Sequence, residues 1–164
     1  MYKNYEEQRA AAEAASWALH RGQVDKAGEP YYLHPQRVAL AVETWGVGVG
    51  WPPERVAVAV QVALLHDVLE DTDITSRDLM HNIGVFHQAV SLIEAISFRH
   101  ENPEETRSDY YARLKAHKDK HILLAVKKAD IDDNMRVDRL AKLDDETKLR
   151  LIEKYSKAYE ELGL

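Results

Sequence analysis

Apolar positions recur with helical spacing along most of the chain, and in one stretch they occupy nearly every position. Residues 56–65 read Val-Ala-Val-Ala-Val-Gln-Val-Ala-Leu-Leu, with Pro52-Pro53 just upstream. A run apolar almost all the way round predicts a buried helix, not an amphipathic surface one. Around it the pattern predicts further helices. Residues 5–19 are Ala-rich and stop at His20-Arg21-Gly22, which predicts a helix with a glycine end. Pro35 opens a second helix through about residue 44, as proline favours a first turn. Asp73, Thr75 and Ser76 are suited to cap a short helix near 77–82. Helical patterns continue at 85–97, 108–116, 120–134 and about 146–162, and Asp144-Asp145-Glu146 suits the amino end of the last. Residues 22–32, with Gly28-Glu29-Pro30, predict a loop. The stretch from Gly46 to Gly50 predicts a flexible connector, and 99–107, with Asn102-Pro103, the least constrained connection. No strand-like alternation and no internal repeat is visible. The expected architecture is all-α: one helical bundle over 1–164.

Composition narrows the function. The chain has 164 residues, 45% of them apolar and 30% charged, enough for one domain with a real core. No apolar stretch is long enough for a membrane span, since 56–65 stops at His66. The amino end, Met1-Tyr2-Lys3-Asn4-Tyr5, has no apolar signal region, so a cytoplasmic location is expected. The absence of cysteine leaves His, Asp and Glu as the metal-ligating side chains. A formal net charge of −6 argues against sequence-independent nucleic-acid binding. Nothing in the pattern indicates an oligomer or excludes one.

The candidate chemistry lies at the end of the buried helix. His66-Asp67 is followed at once by Glu70-Asp71. Ionisable side chains planted where the core should be are costly unless something pairs with their charge. A divalent cation suits both an imidazole and a carboxylate. The alternative is a plain helix end with acids spilling into the loop. His34, just before Pro35, read alone is a loop histidine at a helix start. Asp130, ending the apolar segment 123–130, read alone is a helix-face carboxylate. Together His34, His66, Asp67 and Asp130 form a two-His, two-carboxylate set from three helical segments. Such a set suits Mn²⁺, Fe²⁺, Zn²⁺ or Mg²⁺ and leaves room for water. Glu70 and Asp71 then stand one turn beyond the ligands, placed to take a proton from water. Among possible phosphate contacts, Lys26 is favoured because its loop adjoins His34; Lys127 and Lys128 read equally well as a solvated surface. His20 reads as structural, and Tyr155 and Tyr159 as core.

These residues resemble a known family. His66-Asp67 with Glu70-Asp71-Thr72, preceded by Gly22-Gln23, Gly28-Glu29-Pro30-Tyr31 and His34-Pro35, is similar to the HD-domain metal phosphohydrolases. More narrowly it resembles the hydrolase domain of the bifunctional alarmone synthetase/hydrolases and the small alarmone hydrolases. Lys127-Lys128-Ala129-Asp130, followed by Asn134-Met135-Arg136, is similar to that family's Lys-Leu-Ala-Asp-Arg-Leu-His-Asn-Met-Arg segment. The likeness covers about 5–140, and the last helix lies beyond its strongest part. It implies one Mn²⁺ held by His34, His66, Asp67 and Asp130, and removal of the 3′-pyrophosphate from guanosine tetra- or pentaphosphate. It further implies that Glu70 and Asp71 position or deprotonate the attacking water, that Asn134 holds substrate near the metal, and that Lys26 faces phosphate.

The chain departs from the family at two places. Asp25 and Lys26 stand where two adjacent basic residues are usual, which removes the cation expected to stack on guanine. Ile131-Asp132-Asp133 replaces Arg-Leu-His and predicts a more acidic pocket rim. The expected partner is a small phosphorylated nucleotide. The alternatives are an HD-type phosphatase acting on another nucleotide or cofactor phosphate ester, and a non-catalytic nucleotide-sensing module.

Overall fold

The computed structural model describes residues 5–98 and 104–164. Part of the 99–107 connection, Asn102-Pro103 included, therefore lies outside the described residues. Helices make up the fold: α1 (Tyr5–Leu19), α2 (Leu33–Gly48), α3 (Pro53–Leu65), α4 (Val68–Asp71), α5 (Ser76–Asp78), α6 (His87–Ile96), α7 (Arg107–Ala116), α8 (Lys120–Asn134), α9 (Val137–Leu140) and α10 (Asp145–Leu162), with a π-helical turn, Leu79–Ile83, after α5. Among the described residues there is no strand, only an isolated antiparallel bridge between Val24 and Pro30. No described helix is long and apolar enough to cross a membrane.

α3 is the centre of the bundle. Every residue from Val58 to Leu65 is buried, which is what a run apolar on all faces requires. It packs against α1, α2, α6 and α8, so each face of the helix meets a different neighbour. Its one buried polar side chain, Gln61, accepts a hydrogen bond from the Phe86 backbone N–H at 3.1 Å. α2 and α8 pack on one another as well as on α3. That arrangement brings the start of α2, the end of α3 and the last turns of α8 to one place.

The caps follow the expected chemistry. Thr75 and Thr106 each form a capping box, with Asp78 and Asp109 respectively, and the Asp144 side chain accepts from the Thr147 N–H at 2.8 Å. The glycine-rich stretch after residue 44 differs from expectation. α2 continues through Gly46 and Gly48, because Gly46 lies under the Trp51 ring: a Cβ there would stand 2.9 Å from Trp51 Cε3. The missing side chain lets the ring close over the helix, and the chain turns only at Gly50, whose φ of 75° suits glycine.

Candidate metal centre

Three helix ends supply the site. His34 stands in the first turn of α2, pre-set by Pro35 behind it. His66 caps the C-terminus of α3, and Asp67 begins the short α4. The backbone carbonyl of Asp67 accepts from the N–H groups of Glu70 and Asp71 at 3.0 and 2.9 Å. The helical course therefore resumes at once and turns these acids away from the core. Asp130 lies on the penultimate turn of α8.

Their ligand atoms converge. One nitrogen each from His34 and His66 and one oxygen of Asp67 lie within 4.8 Å of one another. Asp67 Oδ2 is 3.0 Å from His66 Nε2 and 3.7 Å from His34 Nε2. Asp130 Oδ1 is 3.2 Å from His34 Nε2 and 3.8 Å from His66 Nε2. His34, His66 and Asp130 are buried and Asp67 is half-buried.

Both imidazoles are held from behind. His66 Nδ1 is 2.8 Å from the Ala63 carbonyl and His34 Nδ1 is 2.7 Å from Asp133 Oδ2. A carbonyl or an ionised carboxylate can only accept, so each Nδ1 carries a hydrogen and each Nε2 is the nitrogen turned to the cluster. His66 Nε2 is buried there without a hydrogen-bond partner. A sealed imidazole nitrogen facing two carboxylates is a donor set that fits a divalent cation.

The electrostatics agree. Burial pushes both histidines down, but the surrounding carboxylates outweigh it and raise them, led by Asp130 for His34 and by Asp67 for His66. Burial pushes Asp67 up, yet the His66 charge and its contact hold this carboxyl well below the usual range. Asp130 is likewise held low, against burial, by Lys127 and both imidazoles. The cluster is built to hold positive charge.

A cavity of about 160 Å³ opens beside it. Asp67, Glu70 and Asp130 line it, together with three cationic side chains, Arg107, Lys127 and Lys154. Lys127 is no solvated surface residue: its ammonium donates to Asp130 Oδ2 at 2.7 Å and its side chain is 18% exposed. Partial burial and the nearby charges of Arg107 and Lys127 push the Lys154 ammonium down, against the pull of Asp130, as expected where like charges crowd.

The sequence-selected residues divide by position. Glu70 lines the cavity, and its Oε1 accepts from the Phe98 N–H at 2.8 Å. Asn134 also lines it and donates to Asp130 Oδ1 at 2.7 Å. Asp71 is exposed and stands outside the lining; partial desolvation and the Asp67 charge push its carboxyl up. Lys26 is exposed on the 22–32 loop, also outside the lining. Asp25 next to it is occupied by the fold: Oδ1 accepts from the Ala27 and Glu29 N–H groups at 2.8 and 2.9 Å, and Oδ2 from Arg139 Nε at 2.8 Å. Tyr155 packs against the core as expected and also lines the cavity. His20 is buried, with Nδ1 2.8 Å from Gln23 Oε1 and its ring against Tyr31.

Three side chains escaped the sequence reading, and a fourth, Asp133, was expected on the pocket rim. Tyr31 donates to Asp67 Oδ2 at 2.6 Å, Arg107 and Lys154 reach the cavity from α7 and α10, and Asp133 stands behind His34. Only Asp133 carried a signal, its position three residues after Asp130 on one helical face.

No family model matches the chain. Curated relatives do. The guanosine-3′,5′-bis(diphosphate) 3′-pyrophosphohydrolase of Vibrio cholerae is 31% identical over 121 residues, 71% of this chain and 16% of the relative. The protein of that name from Borreliella burgdorferi is 31% identical over 109 residues, 65% of this chain and 15% of the relative. A GTP pyrophosphokinase of Streptomyces coelicolor is 32% identical over 145 residues, 86% of this chain and 16% of the relative. The chain thus spans about one sixth of the length of these relatives. Among solved structures, a metazoan ortholog of SpoT described as hydrolysing ppGpp superposes with a TM-score of 0.74 at 20% identity, over 99% of this chain and 88% of that one. That likeness is one of fold. With the sequence relatives and the fold in agreement, the chain is an HD-domain, alarmone-hydrolase-like protein.

Proposed function

We propose that the chain is a metal-dependent phosphohydrolase that removes the 3′-pyrophosphate from guanosine 3′,5′-bis(diphosphate) or a close relative. Water attacks the phosphorus joined to the 3′ oxygen, the bond from that phosphorus to the ribose oxygen breaks, and guanosine 5′-diphosphate and pyrophosphate leave. The observation that carries this reading is the convergence of His34, His66 and Asp67 beside a cavity lined by three cationic side chains. The curated relatives named for this reaction support it.

His34, His66, Asp67 and Asp130 would hold one divalent ion, Mn²⁺ in our reading. When bound, such an ion polarises a phosphoryl group and makes water easier to deprotonate. The protein does the rest. Glu70, on the cavity wall, accepts the proton of the attacking water, with Asp71 one residue on in support. Arg107, Lys127 and Lys154 offset the charge of the phosphoryl oxygens, which otherwise repels a nucleophile. Asn134 holds Asp130 and the substrate on one side of the cavity, and Lys26 meets phosphate at the loop outside it. The substrate is a small nucleotide and the location cytoplasmic.

A second reading is favoured by Asp25. Its carboxylate is taken up by Arg139 and two backbone N–H groups, so no cation at this position stacks on a guanine ring. The same machinery would then act on another nucleotide or a cofactor phosphate ester. A panel of nucleotides with Mn²⁺, read for pyrophosphate against orthophosphate, tests both. Pyrophosphate from guanosine 3′,5′-bis(diphosphate) supports the first, orthophosphate from a monoester the second. Binding without turnover sinks both and leaves a sensing module.

A further inference from the structure

α2 carries His34 and Arg37 one turn apart, and α8 brings Asp133 against both. Asp133 is 7% exposed. Its Oδ2 lies 2.7 Å from His34 Nδ1. Arg37 grips the same carboxylate with two prongs, Nε to Oδ1 at 2.6 Å and Nη2 to Oδ2 at 3.0 Å. Arg136 adds a charge 3.5 Å from Oδ1. A buried anion is costly unless it is paired and hydrogen-bonded, and this one has a guanidinium fork and a ring N–H. Asp133 was expected on an acidic pocket rim. Instead, its neighbours Ile131 and Asn134 line the cavity and Asp133 faces the other way, into the back of His34.

The consequence concerns the metal cluster. An imidazole presents one defined nitrogen to a cation only when its other N–H is held, and a carboxylate in that role also strengthens the ring as a donor. The two histidines are backed unequally: His66 by the neutral Ala63 carbonyl, His34 by a full carboxylate. The fork from Arg37 engages both Asp133 oxygens, which keeps this carboxylate from turning into the cluster as a competing ligand.

We propose that Asp133, clamped by Arg37, is a positioning residue that holds His34 with its hydrogen on Nδ1 and raises the affinity of the His34–His66–Asp67 cluster for a divalent cation. The inference rests on the metal-centre part of the proposed function and is independent of which nucleotide is cleaved.

The full chain, stripped of metal, is titrated with Mn²⁺ by calorimetry as wild type, Asp133→Ala, Asp133→Asn and Arg37→Gln. Asp133→Ala should weaken Mn²⁺ binding about 10- to 100-fold, the usual scale for losing the partner of a metal-ligating histidine, with helical content unchanged by circular dichroism. Asp133→Asn should lose less, because an amide oxygen still accepts the ring N–H but carries no charge. Imidazole ¹⁵N spectra of the chain loaded with diamagnetic Zn²⁺ should show His34 protonated on Nδ1 alone in the wild type, and a weaker, shifted Nδ1–H signal in Asp133→Ala. At saturating Mn²⁺, kcat should fall while KM for the nucleotide stays within about twofold, since Asp133 does not line the cavity. Mn²⁺ affinity within twofold of wild type in a folded Asp133→Ala, or a His34 that keeps its proton on Nε2 in the Zn²⁺-loaded wild type, overturns the inference alone. Should Asp133→Ala fail to fold, unchanged affinity in both Asp133→Asn and Arg37→Gln overturns it. A wild-type chain that binds no Mn²⁺ overturns the metal-centre reading, and this inference with it.

Discussion

The Tyr31 hydroxyl donates to Asp67 Oδ2 at 2.6 Å across 36 positions of sequence. That oxygen is the one that approaches both imidazole Nε2 atoms. Burial, reinforced by the Asp67 charge, pushes the Tyr31 phenol far above its ordinary value, so it remains a donor over the working pH range. Tyr31 thus orients the carboxylate that both histidines face.

Tyr31→Phe should therefore leave the fold intact but release Asp67. Loss of a hydrogen bond to a charged acceptor should cost about 2 kcal/mol of stability, read by urea denaturation. Mn²⁺ affinity should fall about tenfold, read by calorimetry. A variant as tight and as stable as wild type would show that Asp67 needs no such partner.

Glu70 and Asp71 should separate on substitution, because Glu70 lines the cavity and Asp71 is exposed. Glu70→Gln should keep Mn²⁺ affinity and lose about a hundredfold or more in kcat, the scale of a missing general base. Asp71→Asn should lose less. Steady-state turnover at saturating Mn²⁺ checks both, and an unchanged rate in Glu70→Gln would remove it from the mechanism.

Metal addition should stabilise the fold by mass action. With Mn²⁺ at about 100 times its Kd, the gain is about 2.7 kcal/mol and should vanish on chelation or in His66→Ala. Thermal melts with and without Mn²⁺ measure it. The same gain in His66→Ala would place the ion elsewhere.

The Asp25–Arg139 pair should make stability depend on acid pH. Burial pushes the Asp25 carboxyl up, but Arg139 and the Glu29 and Ala27 N–H groups outweigh it and hold it below 3.8. A carboxyl lowered on folding contributes fully above its unfolded value and loses that contribution as pH falls through its folded one. Asp25→Ala should thus cost about 2 kcal/mol at pH 7, with the gap to wild type closing below pH ~4. Urea midpoints at pH 7 and pH 3 check this, and a gap of equal size at both would refute the linkage.

The helices could be read from local pattern. α1 and α8 span the expected residues, Tyr5–Leu19 and Lys120–Asn134, and α3 is buried on every face as its composition requires. The glycines after residue 44 misled, because Gly46 serves a ring five positions on and not a bend. The metal-type residues were likewise visible, since His66 and Asp67 break an otherwise apolar helix. The partners of Lys127 and Asp133 were not. Both residues lie on α8 within a turn of Asp130, and the sequence there is compatible with either a wet or a buried face.

Which face α8 presents depends on how it packs against α2. The 99 positions separating His34 from Asp133 leave no periodicity that could report that packing. Spacing along one segment reflects the backbone geometry of that segment, so helices and chemically unusual residues could be found from order alone. Direction, pairing and the line between cavity and core came from the docking of α2, α3 and α8, where burial forces each charged group to find a partner from a distant part of the chain.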